Sequence, residues 1–336
     1  MFFNPAKTSI SMNNKTFSNL ILFLILLTGT LACSGQATQS TTERQSLEFI
    51  VIGDWGMQGN ATQVQIAQQM EQLAATYTID FIVTTGDNFY PLGVKTADDP
   101  AWQKNYESVY ALPHIKDIPW YITLGNHDYF GEFQAEIDYA RQHPRWILPA
   151  NYHARDFMRN DKLLARMLFV DSNPYLKEYL ARPDLYHHVN EQDSAAQTAW
   201  IEKQLNDDQP VWKLLFAHHP LYSSGEHGDT VELIQGWTGL FEQYHVDAYF
   251  AGHDHHLEHI KPPAATHYFI SGGGGATIRH VGQGPHTLYS LSSHGFAHVT
   301  LDATCMRVRF INAEGTELYQ TAIAATPAMS CAKTAD

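Results

Sequence analysis

Cysteine is scarce in this chain. Three occur in 336 residues, at positions 33, 305 and 331, and none forms a Cys-x-x-Cys pair. A cysteine-built zinc site is therefore not expected. Basic residues are also few: 21 Lys and Arg stand against 35 Asp and Glu, for a net charge of −14. That balance argues against a nucleic-acid backbone as partner. An acidic chain can still receive phosphate esters where bound metal ions invert the local field. Long apolar runs are absent apart from Leu20 to Leu27, which is too short to span a bilayer comfortably. No internal repeat of solenoid type is present.

The apolar run follows Lys15 and precedes small residues and Cys33, which reads as an export signal over residues 1–33. Thr30-Leu31-Ala32-Cys33 resembles a bacterial lipobox, with Thr30 where Leu is usual. The expectation is an exported protein, periplasmic or held at the outer membrane by a lipid on Cys33, or else cleaved nearby and secreted. Residues 34–46 are polar and read as a flexible tether. Cys305 and Cys331 remain, and an oxidising compartment would let them close the C-terminal tail. Roughly 290 residues are left to fold, as one large α/β domain or two small ones.

What is present is a recurring pattern. Phe49-Ile50-Val51-Ile52 reads as a strand buried on both faces and ends in Gly53-Asp54-Trp55-Gly56. Ile66, Met70, Leu73 and Tyr77 then recur at helical spacing. Phe81-Ile82-Val83-Thr84-Thr85 leads into Gly86-Asp87-Asn88-Phe89-Tyr90. Residues 102–109 read as a short helix. The next strand, residues 120–124, runs into Gly125-Asn126-His127-Asp128. Residues 130–165 carry no clear period. A strand at 168–170, helices at 194–205 and 230–244, and strands at 212–217 and 247–251 follow. The last two strands end in His218-His219-Pro220 and Gly252-His253-Asp254-His255. Residues 296–301 and 305–311 predict a closing hairpin.

In open α/β sheets, ligands sit beyond the carboxyl ends of the strands. Five such ends carry Asp54, Asp87 with Tyr90, Asn126 with His127, His218, and His253 with His255. Each alone is ordinary turn or core chemistry. Together they are carboxylate, phenol, amide and imidazole, the ligand types of hard and borderline cations. Two cations about 3.5 Å apart repel, so a carboxylate must be shared between them, and Asp87 is the candidate bridge.

Gly53-Asp54, Gly86-Asp87, Gly125-Asn126-His127-Asp128, His218 and Gly252-His253-x-His255 resemble the calcineurin-like metallophosphoesterase pattern. Most of that superfamily has histidine two residues after the first aspartate. Here Gly56 stands there, and Tyr90 is present. In both features the chain is similar to the purple acid phosphatases, of the small, tartrate-resistant type. Ala217-His218-His219-Pro220 and Gly225-Glu226-His227-Gly228 also fit that type, although His219 stands where the family often has tyrosine. The likeness runs from about residue 48 to about residue 312.

The resemblance implies an α/β fold, two packed mixed β-sheets flanked by α-helices in four layers. It places a catalytic domain at 47–315 and a tail at 316–336. It implies a ferric ion held by Asp54, Asp87, Tyr90 and His255. A second, divalent ion (Fe, Zn or Mn) would be held by Asp87, Asn126, His218 and His253. It implies that His127 stabilises charge or protonates the leaving oxygen, with Glu226 and His227 as further candidates for that work. The implied reaction is hydrolysis of small phosphate monoesters by a metal-bound hydroxide, at acid pH. Within enzymes, the rival is a dimetal phosphodiesterase or nucleotide hydrolase. Outside them, it is a non-catalytic surface lipoprotein. His187, His188, His256, His259, His280, His286, His294 and His298 fit no ligand position and are expected mostly on the surface or in loops. Trp146, Tyr152 and Phe157 are expected in the core.

Overall fold

The computed structural model describes residues 44–325 and Cys331. The expected signal, Cys33 and most of the tether lie outside the described residues. Fourteen strands form two sheets. The first holds β1 (Leu47–Ile52), β2 (Phe81–Thr84), β3 (Trp120–Tyr121), β4 (Trp146–Ile147), β12 (Gly295–Leu301), β13 (Cys305–Asn312) and β14 (Glu317–Ala324). The second holds β5 (His153–Arg159), β6 (Lys162–Phe169), β7 (Trp212–Phe216), β8 (Ala248–Ala251), β9 (Leu257–Ile260), β10 (His267–Ser271) and β11 (Thr287–Leu291). Both sheets are mixed. β1 to β4 are parallel, and the β12–β14 meander joins β1 antiparallel. In the second sheet β6, β7, β8 and β10 are parallel, with antiparallel partners at each edge.

The apolar run of β1 is buried on both faces because each face meets a different core. Phe49 and Val51 join the core between the sheets, while Ile50 and Ile52 join the core under the helix Ala61–Thr76. Alternating direction along a strand makes that division. Between the sheets, Phe169, Phe216, Phe250 and Phe269 stack in succession with centroids 5.3, 5.1 and 5.0 Å apart. A third core lies beneath the helices Ser194–Leu205 and Val231–Gln243. Helix, sheet, sheet and helix thus stack around these cores, in the four layers expected.

Several expectations need correction. The unassigned stretch 130–165 holds a helix, Phe133–Ala140, then β4, β5 and the start of β6. Its strands alternate buried and exposed residues at an edge, so no long apolar run marks them. Residues 102–109 form a short helical turn that widens to π geometry over Gln103–Glu107. The body does not stop at 315, because β14 pairs with β13 along its length. Its half-exposed sequence, ELYQTAIA, reads as a tail because only one face needs to be apolar. Cys305, at the start of β13, is joined to Cys331 by a disulfide.

His256, His259 and His298 are fully buried rather than on the surface. Each has found partners. His256 meets Glu258 at 2.9 Å, His259 meets the Tyr319 hydroxyl at 2.9 Å, and His298 meets Glu48 at 3.2 Å. Trp146 is a core residue. Phe157 is partly buried and packs on Phe81 at the margin of the core between the sheets, whereas Tyr152 is partly buried and packs on Trp200.

Candidate metal centre

The seven residues expected as ligands converge on one place. Asp54, Asp87, Tyr90 and Asn126 follow strands of the first sheet, and His218, His253 and His255 follow strands of the second. The site therefore sits on the line where the two sheets meet. The Asp54 carboxylate accepts from the backbone N–H of His253 at 2.9 Å, directly across that line.

Asp54, Asp87 and His253 all have left-handed backbone, with φ of 58°, 53° and 67°. Such angles are costly for residues with a Cβ and concentrate at functional sites. Here they turn each side chain back over the strand ends. Gly125 allows the turns to close up: a Cβ there would lie 2.2 Å from the Asp87 amide nitrogen. Asp128, fully buried, accepts from the backbone N–H groups of Asn88, Phe89 and Gly125 at 2.9, 3.1 and 2.8 Å. It ties the turn carrying Asp87 to the turn carrying Asn126. Glu136, also fully buried, accepts from the Asn88 side chain at 3.1 Å. Burial, and then the neighbouring Asp128, pushes its carboxyl far above the usual range. The sequence assigns neither carboxyl a role: Asp128 stands inside the Gly125-Asn126-His127-Asp128 motif beside the candidate ligand, and Glu136 stands in no motif.

The ligand atoms fall into two groups that share Asp87. Its Oδ2 accepts from the Tyr90 hydroxyl at 2.6 Å. That hydroxyl also lies 3.0 Å from Asp54 Oδ1 and 3.2 Å from His255 Nε2. Asp87 Oδ1 lies 3.4 Å from His218 Nε2, which is 2.9 Å from Asn126 Oδ1. His253 Nδ1 stands 3.0 Å from that oxygen and 3.1 Å from His218 Nε2.

Backbone carbonyls fix the tautomers. His218 Nδ1 faces the carbonyl of Thr85 at 2.8 Å, and His255 Nδ1 faces that of Thr277 at 2.8 Å. A carbonyl only accepts, so both Nδ1 atoms carry hydrogen, and in the neutral rings both Nε2 atoms turn lone pairs inward. In the second group, His218 Nε2, Asn126 Oδ1 and His253 Nδ1 thus have at most one hydrogen between them. Burial and the neighbouring imidazoles of His219 and His218 hold His253 well below the usual histidine range. Three acceptors with so few protons make a poor hydrogen-bond cluster and a good cation site. The first group calls for positive charge for another reason. Burial, and then Asp54 and Asp87, pushes the Tyr90 phenol well above its usual value. A bound cation reverses that logic.

His219, His218 and His253 place ring nitrogens within 4.8 Å of one another. His219 is nonetheless a poor ligand. Its Nδ1 meets Ser172 Oγ at 2.7 Å and its Nε2 meets the Tyr179 hydroxyl at 2.9 Å.

Over these groups opens a cavity of about 340 Å³. His127, His227 and Arg279 reach it, and the stacked pair Tyr179 and Tyr186 forms another part of its wall. His127 Nδ1 lies 2.7 Å from the carbonyl of Pro91, which leaves Nε2, 3.9 Å from Asp87 Oδ2, facing the site. Glu226 and His227, paired in the sequence reading, separate here. Both are exposed, but His227 stacks on His253 at 4.1 Å, accepts from Arg279 and lines the cavity, whereas Glu226 does not line it. Arg279, Tyr179 and Tyr186 were missed because they come from loops and a short helix without period or motif.

Comparison with known proteins agrees with this geometry. Residues 47–257 match the calcineurin-like phosphoesterase family. The chain is 34% identical over 270 residues to purple acid phosphatase 4 of Arabidopsis thaliana, covering 76% of this chain and 77% of that one. It is 30% identical over 312 residues to tartrate-resistant acid phosphatase type 5 of Mus musculus, covering 86% and 94%. Among solved structures it resembles GAP50, the anchor in the inner membrane complex of Plasmodium, with a TM-score of 0.73 and 25% identity over 87% of this chain and 92% of that one. The chain belongs to the calcineurin-like phosphoesterases and, within them, to the purple acid phosphatases, hydrolases of phosphoric monoesters.

Proposed function

We propose that this chain is an exported dimetal acid phosphatase for small phosphate monoesters, with iron as one of its two ions. The observation that carries the reading is the pair of inward-facing acceptor groups sharing Asp87. The donor set fits the ions. Phenol, two carboxylates and an imidazole suit a hard trivalent ion, and amide, two imidazoles and the shared carboxylate suit a divalent one (Fe, Zn or Mn). When bound, the pair supplies Lewis-acid charge neutralisation and an activated water at acid pH.

The residues of the chain do the rest. His127 points Nε2 into the cavity with Nδ1–H pinned to Pro91, so a proton held at Nε2 can be delivered to the leaving oxygen. Tyr90 and Phe130 hold the ring by contacts at 4.2 and 4.8 Å. Arg279 donates to the His253 carbonyl at 3.1 Å and engages His227 Nε2. Burial holds His227 below the usual histidine range.

GAP50 is described as an anchor, so likeness of fold alone does not carry catalysis. The acceptor groups favour the enzyme over a non-catalytic surface lipoprotein, since a bare scaffold gains nothing from them. The test is a panel of phosphate monoesters and diesters on purified protein, with metal analysis. The reading expects monoester hydrolysis that is lost on chelation. Preference for diesters would move the protein to the phosphodiesterases, and metal-independent inertness would leave the surface-protein alternative.

Export rests on the Leu20–Leu27 run and on Cys33. The Cys305–Cys331 bridge suits an oxidising compartment. Cys33→Ser should free the protein from membranes. A wild type that is already soluble would remove the lipid anchor from the proposal.

A further inference from the structure

His219 sits beside a candidate ligand, His218, yet both of its nitrogens are committed elsewhere. Two directions are open to its hydrogen bonds, because the Ser172 hydroxyl oxygen can accept from both the backbone N–H and Nδ1–H. The backbone N–H of His219 donates to Ser172 Oγ at 3.1 Å. The Ser172 hydroxyl hydrogen is then free for His219 Nδ1, 2.7 Å away. In one tautomer of the neutral ring Nδ1 accepts it, and Nε2–H donates to the Tyr179 hydroxyl oxygen at 2.9 Å; in the other Nδ1–H donates to Ser172 Oγ and the Tyr179 hydroxyl donates to Nε2. The first tautomer releases the hydrogen of Tyr179 to the cavity, where the Tyr186 hydroxyl competes for it until a stronger acceptor arrives.

Tyr179 is buried, with 5% of its surface exposed, and what remains lines the cavity over the metal centre. Its ring stacks on Tyr186 at 3.9 Å, and Tyr186 lines the same cavity. The imidazole that orients it packs against His253 at 4.4 Å and His218 at 4.8 Å. Buried donors in a chain polarise one another, and a donor already aimed costs little reorganisation when a charge arrives.

We infer that Ser172, His219 and Tyr179 form a directed hydrogen-bond relay that presents the Tyr179 hydroxyl as a donor to a phosphoryl oxygen in the His218–Asn126–His253 half of the site. Tyr179 touches the substrate, and His219 and Ser172 are positioning residues. This rests on the phosphatase reading. It adds a substrate contact from the 176–186 segment, which holds no candidate metal ligand.

The test uses the metal-loaded protein and inorganic phosphate as probe, with affinity measured by calorimetry and metal content checked in every variant. Tyr179→Phe keeps the ring stack and removes the hydroxyl. Phosphate affinity should fall roughly ten- to a hundredfold, the range for a hydrogen bond to a charged group, with two metals retained. His219→Phe should cost a similar factor, and the double variant should be no worse than either single one. His219→Gln keeps an N–H near the Nε2 position and should recover most of the loss. If Tyr179→Phe binds phosphate as the wild type does, or if the two losses multiply, the relay is overturned. A metal-loaded wild type that binds no phosphate overturns the phosphatase reading as well, so the two failures are distinct.

Discussion

The amide of Tyr90 donates to the carbonyl of Gly56 at 2.8 Å, stitching together the turns after β1 and β2. The closeness excludes any side chain at 56, since a Cβ there would lie 1.8 Å from the Asn88 carbonyl oxygen. Histidine cannot stand where the broader superfamily has one, and the Tyr90 phenol occupies the space beside Asp54 and Asp87. A phenolate on ferric iron absorbs visible light, so the purified protein should be violet to pink. Tyr90→Phe should abolish the band and lower iron content or ease its reduction. A variant with the same band would refute Tyr90 as the ligand.

Asp87 gives one oxygen to each acceptor group. Asp87→Ala should therefore reduce metal content from two ions toward none, rather than to one. Metal analysis after gel filtration reads this directly. Retention of both ions would show that the bridge lies elsewhere.

His127→Ala should keep both metals and the visible band while kcat falls by roughly two to four orders of magnitude. The motivation is a ring with Nδ1 pinned to Pro91 and Nε2 facing the cavity. An unchanged kcat at the acid optimum would remove it from the proton path.

Acid should cost stability through a buried histidine outside the candidate ligand set. His153 is buried between Phe169 and Tyr121, and burial pushes its pKa down to about 4. The unfolded chain binds this proton from about pH 6.5 downward, and the folded chain does so only near pH 4. Its contribution is thus intact at neutral pH and is lost progressively as pH falls between those values. Between pH 7 and pH 5 the loss is about 2 kcal/mol. His153→Phe should shrink the pH 7 to pH 5 difference in denaturant stability by about that amount. An unchanged difference would show that His153 is not a source of acid sensitivity.

The strand ends were legible because buried strands need continuous apolar runs, and four of these five runs stop at a glycine next to a ligand-type residue, the fifth running through Ala217 straight into His218. That was enough to find Asp54, Asp87, Asn126, His218 and His253 and to place them at one rim. The edges were not legible. β5, β11 and β14 expose one face, so their apolar content is diluted. The buried histidines His256, His259 and His298 look like surface residues until their partners Glu258, Tyr319 and Glu48 are known. The left-handed turns at Asp54, Asp87 and His253 fall on residue types that enter that region more readily than most, but type alone does not single out these positions among the other Asp and His residues. Tyr179 and Arg279 reach the cavity from segments whose only common property is where they end up.

The position of the centre on the line between the two sheets has a mechanical consequence. Each ion would act as a rivet, drawing ligands from both plates, so its affinity measures how well the plates are seated. Phe169, Phe216, Phe250 and Phe269 set that seating from a distance. Trimming one of these rings should loosen the rivets without touching a ligand. Metal preference could then drift through changes in the filling between the plates, while the seven candidate ligand residues stay as they are.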